Sequence, residues 1–97
     1  MGELQKLRVT VVILLSQENS KLLSRRQRVA GKEIEVMCAE RDVELGGGAP
    51  AFQERLDALY EEDTAVRLAL SEAEAEIRKL EGFMAEIDAD IAALCQS

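Results

Sequence analysis

Two acidic runs are the first residues that could do chemistry: Glu61-Glu62-Asp63, and Glu72, Glu74 and Glu76 at every second position. Carboxylates in that number could ligate a metal or form an acid/base pair. On a helix, however, positions one or two apart point in different directions, so these spacings read as a solvated acidic face. The stretch Gly46-Gly47-Gly48 is glycine-rich like a phosphate-binding loop but lacks the following Lys-Ser or Lys-Thr. Cys38 and Cys95, the two cysteines, have neither CxxC nor metal-ligand spacing, and free thiols in a reducing compartment are the simplest reading. Histidine is absent, which excludes a catalytic imidazole. One Tyr, two Phe and no Trp leave little material for an aromatic cage or a base-stacking platform. We therefore expect no enzyme, no catalytic or metal site, no cofactor and no small-molecule substrate.

Charge narrows the partners. Nineteen acidic against twelve basic residues give a net charge of −7, unevenly placed: residues 1–48 carry eight basic and seven acidic side chains, residues 49–97 four and twelve. Nucleic acid is not expected, because phosphate neutralisation needs a concentrated cationic face. The one basic concentration is Lys21, Arg25, Arg26, Arg28 and Lys32. It reads either as charge balance for the acidic second half or as a docking surface for an acidic partner. The apolar run from Val9 to Leu15 follows Lys6 and Arg8 like a short signal-peptide core, yet Gln17-Glu18-Asn19 soon follows, and secretion is the minor reading. It is far below the ~20 residues that span a membrane, so no membrane partner is expected. Met1-Gly2 lacks the Ser or Thr that myristoylation requires, Lys6 standing there instead.

The elements that would carry these residues are legible from periodicity. Phe52, Leu56, Leu59, Asp63, Val66, Leu70, Ala73, Ile77, Leu80, Met84, Ile87, Ile91 and Leu94 follow one another at alternating four- and three-residue steps, and Asp63 is their one polar member. Only an α-helix keeps such a series on one side. Gly46-Gly47-Gly48-Ala49-Pro50 divides the chain at its midpoint, glycine suiting a helix stop and proline a helix start. We expect a single helical domain over 1–97, with helix 1 at about 3–45, a turn at 46–49, helix 2 at about 50–81, and a third helix or a continuation at about 83–95.

A short turn between long helices makes them antiparallel neighbours, and residues whose numbers sum to about 95 should then pair. The pairs are chemically sensible: Phe52 with Val43, Leu56 with Ala39, Leu59 with Val36, Val66 with Val29, Ala73 with Leu22, Leu80 with Leu15, and Met84 with Val11. Asp63 falls opposite Lys32, so an ion pair is expected there, fixing register more than stability. Helix 1 also carries doubled apolar positions, Leu22-Leu23, Val29-Ala30 and Val36-Met37, with Ile34 nearby. Doubling widens the apolar face beyond one seam and calls for a second covering surface. A break at Gly82, which costs a helix interior about 1 kcal/mol relative to Ala, would supply it from residues 83–95 as a third helix. The expected fold is therefore all-α, an antiparallel three-helix bundle built on a long hairpin; the alternative is a two-helix antiparallel coiled coil, with helix 2 continuing through Gly82. The β-branched residues Val9, Val11, Val12 and Ile13 admit a short strand, an enclosed helical turn, or an exposed patch that meets a partner.

The phrase Lys32-Glu33-Ile34-Glu35-Val36-Met37-Cys38-Ala39-Glu40, closing a helix that begins after Leu7-Arg8-Val9-Thr10-Val11-Val12, resembles the tubulin-binding cofactor A family. Arg67-Leu68-Ala69-Leu70 is a looser counterpart of a helix 2 phrase. The chain departs from that family in having fewer lysines along helix 1 and no proline in helix 2 beyond Pro50. The resemblance implies a three-helix bundle and a small cytoplasmic, cytoskeleton-associated chaperone, monomeric or weakly dimeric, that captures β-tubulin during assembly of the αβ heterodimer. Its docking residues would be Lys21, Arg25, Arg26, Arg28 and Lys32 first, then Val9, Val12 and Ile13. The alternative is a structural coiled-coil module, a homodimer or assembly subunit acting by helix–helix pairing. A secretion-type chaperone presenting a helical hairpin is a third reading.

Overall fold

The computed structural model describes residues 2–96. Helix α1 runs Glu3–Leu45 and helix α2 runs Pro50–Gln96, and the described residues contain no strand. Glu3 lies in the first turn of α1, where a carboxylate complements the helix dipole. The helix stops where Gly46 N–H donates to the Asp42 carbonyl at 2.8 Å. Gly47 and Gly48 then adopt φ of 62° and 86°, left-handed values that an ordinary side chain resists. Gly46 is required for a different reason: a Cβ there would collide with the Phe52 ring and with the Asp42 carbonyl oxygen. Pro50 opens α2 at the position where a missing N–H costs nothing.

The chain divides into two compact units, each drawing on both helices. One comprises Leu23–Ser71 and holds the turn; the other is formed by residues up to Leu22 and from Glu72 onward. In the turn unit, Val36, Ala39, Leu56 and Leu59 form the buried cluster, with Val43 packed against it. These are the pairs 36/59 and 39/56 expected of an antiparallel hairpin. In the terminal unit the buried residues are Val11, Ala73, Ile77, Leu80 and Ile87.

The heptad series of α2 is the buried seam: from Leu56 to Ile91 every one of its members is buried or half-buried, and only the end positions Phe52 and Leu94 are exposed. Helix α1 has a matching series that its doubled apolar residues obscure. All of its side chains that are not exposed sit on one four/three ladder, and that ladder includes Glu18, Arg25 and Lys32 beside Leu15, Val29 and Val36. Consequently Leu23, Ile34 and Met37 face outward, 60%, 63% and 67% exposed.

Two expectations need correction, and of the alternatives left open for Val9–Ile13 the strand is not formed. Helix α2 does not break at Gly82, so the structure has two helices and no separate third one among the described residues. Leu80 and Ile87 are both buried on the same seam, and burying each contributes about 1.5–3 kcal/mol, more than the roughly 1 kcal/mol that glycine costs. The residues Val9–Ile13 form helix, not strand. Val11 and Leu15 belong to the seam, and the rotamer cost of β-branching is only tenths of a kcal/mol per residue. Finally, Lys32 does not pair with Asp63. Its ammonium donates to Glu62 Oε2 at 3.0 Å and to Glu35 Oε2 at 3.0 Å, one residue toward the solvent flank, where a snorkelling lysine keeps its hydration.

Candidate functional site

The basic residues of the concentration on α1 are only partly committed to ion pairs. Lys21 Nζ meets Glu18 at 3.1 Å, and Lys32 bridges Glu35 and Glu62. Its hydrogen bonds to those two carboxylates, Glu35 first, raise the Lys32 ammonium above its ordinary value. Among the described residues Arg25, Arg26 and Arg28 form no ion pair. Arg25 and Arg28 instead border a cleft of about 240 Å³ floored by Ala65, Val66 and Ala69. Of the five cations, the two lysines form ion pairs and the three arginines of the turn unit form none among the described residues.

Asp63 is the interruption in the α2 seam, and its surroundings are only partly satisfied. Arg67 Nε donates to its Oδ2 at 2.9 Å, while the Arg67 terminal nitrogen reaches Glu33 Oε1 at 2.8 Å. These bonds, Asp63 first, raise the Arg67 guanidinium above its ordinary value. Asp63 Oδ1 is buried without a partner. Such an oxygen costs stability, which marks Asp63 as a specifying residue rather than a stabilising one.

The acidic runs do not converge. Glu62 is drawn to Lys32 and Asp63 to Arg67, and among the described residues no group of three or more His, Cys, Asp or Glu could hold a metal ion. Cys38 and Cys95 are exposed free thiols. No helix is long and apolar enough to cross a membrane.

The terminal unit carries a run of exposed apolar residues close together in the sequence. Val9, Val12 and Ile13, expected as a patch, are 49%, 43% and 53% exposed. At spacings of three and four they share one face of α1. No charge interrupts the chain between Arg8 and Glu18, so that face is uncharged as well as apolar. Sequence reasoning missed a second surface in the same unit. Leu4, Leu7 and Val11 of α1 and Phe83 and Ile87 of α2 line a groove of about 360 Å³, with Glu86 and Asp90 on its α2 side. Leu7 and Phe83 are 50% and 47% exposed. The signal was present: Leu7 lies three after Leu4 and four before Val11, and Phe83 lies four before Ile87, each one step off the seam. The ion pair from Arg8 Nε to Asp88 Oδ1, 2.8 Å, ties the two helices within this unit.

The class that the fold defines is all-helical, two long helices whose apolar side chains are partly exposed. Comparison with protein-family models, curated proteins and solved structures finds no match to the chain.

Proposed function

We propose that the protein is a structural, non-enzymatic helix-pairing module that associates with a second copy of itself through the Val9, Val12 and Ile13 face of α1. The carrying observation is the continuous exposure of Val9, Val12 and Ile13 on a helical stretch that contains no charge. An α-helix that is apolar all round belongs inside an assembly. A two-fold pairing brings the same patch to both sides of an interface, and an uncharged face can meet itself without like-charge repulsion. The second copy supplies the covering helix that a three-helix bundle would have taken from residues 83–95. Light scattering at micromolar concentration tests this: the chain should scatter as more than one copy, and Val9→Lys with Ile13→Lys should return it to one copy at unchanged helicity. A wild-type chain of single-copy mass throughout would overturn the reading.

A second reading is supported by the unpaired guanidiniums of Arg25, Arg26 and Arg28. Together with the resemblance to tubulin-binding cofactor A, they suit capture of acidic β-tubulin, in the cytoplasm and on the cytoskeleton, by a single-copy chain. Retention of β-tubulin in a pull-down, lost on changing all three arginines to Glu, is its test; equal retention by that variant would dismiss it.

A further inference from the structure

We infer that the Leu4, Leu7, Val11, Phe83 and Ile87 groove of the terminal unit docks a basic amphipathic helix of another protein, with Glu86 and Asp90 receiving lysines or arginines of that helix. The groove uses a different flank of α1 from Val9, Val12 and Ile13, so this inference stands apart from self-pairing.

The apolar part of the argument is the shape. At about 360 Å³ the groove lies near the lower end of small-ligand cavities, roughly 300–1,000 Å³, but its walls Leu7 and Phe83 are about half exposed, so it does not enclose a molecule. A half-open apolar trough between two helices accepts the side chains of a third helix laid along it, presented at steps of three and four.

Charge selects the occupant. Glu86 and Asp90 are one turn apart on α2 and border the trough. Among the described residues no ion pair holds either of them, whereas Asp88 between them is taken by Arg8. The segments of this unit carry three basic and two acidic side chains up to residue 22, and two basic and seven acidic from residue 72, a net of −4. A helix with cations four apart beside its apolar stripe would neutralise both carboxylates and be steered toward them. A second copy laid groove to groove would instead bring Glu86 and Asp90 of both chains together, which argues against self-association on this face.

The test uses the full chain and a labelled synthetic amphipathic peptide about five helical turns long, with Leu on one face and Lys at four-residue spacing beside it. A second peptide carries Glu in place of every Lys. Fluorescence anisotropy should show the Lys peptide binding at least about tenfold more tightly than the Glu peptide, with the difference shrinking as salt rises. The Glu86→Lys, Asp90→Lys double variant should invert that order. Phe83→Lys should weaken both peptides while helicity by circular dichroism is kept. Equal affinity for the two peptides, or an order unchanged in the double variant, would overturn the inference. Repeating the titration in the Val9→Lys, Ile13→Lys background separates it from self-pairing: binding should persist there, and its loss would also overturn it.

Discussion

Replacing Asp63 with leucine should stabilise the protein, although it removes an ion pair. Asp63 occupies a seam position of α2 with its side chain 20% exposed, and its Oδ1 is buried without a partner. An unsatisfied buried oxygen costs about 1–3 kcal/mol, and Asp63→Leu abolishes it. The leucine continues the series Leu56, Leu59, Val66, and burying most of its side chain adds roughly 1–2 kcal/mol. Against this stands the bond to Arg67, whose side chain is half exposed and which keeps Glu33; exposed pairs of this kind are weak. Overpacking consumes part of the gain, leaving a net stabilisation of about 1–3 kcal/mol. At roughly 4–8 °C per kcal/mol for a domain of this size, the melting temperature should rise by about 5–20 °C. Thermal and urea unfolding followed by circular dichroism read the change directly. A variant whose midpoint falls at or below that of the wild type, with an unchanged urea slope, would refute the reasoning and make the Asp63–Arg67–Glu33 arrangement a net stabiliser.

Gly82→Ala places a methyl in open space within a helix; it should add about 1 kcal/mol, read as a rise of roughly 4–8 °C in melting temperature, and a fall would mean that α2 uses Gly82 as a bend. Tyr60, the one tyrosine, is held above its ordinary value of 10.0 by partial desolvation and then by the Glu40 carboxylate. Its tyrosinate absorbance should therefore titrate above pH 10 in the folded chain and fall back toward the ordinary midpoint in denaturant; identical midpoints in both would refute it. Because Tyr60 and Lys32 both have folded values above their ordinary ones, the stability they contribute is fully present below about pH 10 and is lost as pH rises through the folded values. A urea midpoint that stays flat from neutrality to about pH 10 and then declines is the expected profile.

The hairpin was legible because its second helix is nearly pure pattern. From Leu56 to Ile91 the seam can be read at alternating steps with one polar exception, and the triple glycine with Pro50 marks the turn by backbone geometry alone. The seam of α1 was not legible in the same way. Its half-buried positions include Glu18, Arg25 and Lys32, so a search for apolar periodicity slides onto neighbouring residues such as Leu23 and Met37, which are exposed. The Lys32 partner slipped by one residue for a related reason: opposition on a helical wheel locates Cα positions, whereas a long side chain chooses among carboxylates within its reach. The groove at Leu7 and Phe83 escaped because each residue lies beside a seam position and reads as a redundant core residue until both helices are in place.

That uneven assignment of charge in α1 bears on what the protein is for. A hairpin selected only for its own stability would place its apolar residues on the seam and its charges outside, which α2 approaches more nearly than α1, with Asp63 the one charge in its series and Leu68 and Phe83 exposed. In α1, charged residues take seam positions while Leu7, Val9, Val12, Ile13 and Leu14 are all at least 41% exposed. Each outward apolar residue forgoes up to about 1.5–3 kcal/mol of burial within the chain, and each seam charge demands a partner, as Lys32 finds in Glu62. Under the proposed self-pairing, the outward residues would recover their burial against another helix. The seam charges then leave the hairpin correctly registered but modestly stable on its own. Pairing should therefore stabilise the fold, and the melting temperature should climb with protein concentration in the wild type but not in the Val9→Lys, Ile13→Lys variant. A concentration-independent melting temperature for the wild-type chain would separate its stability from association and remove this rationale for the exposed face of α1.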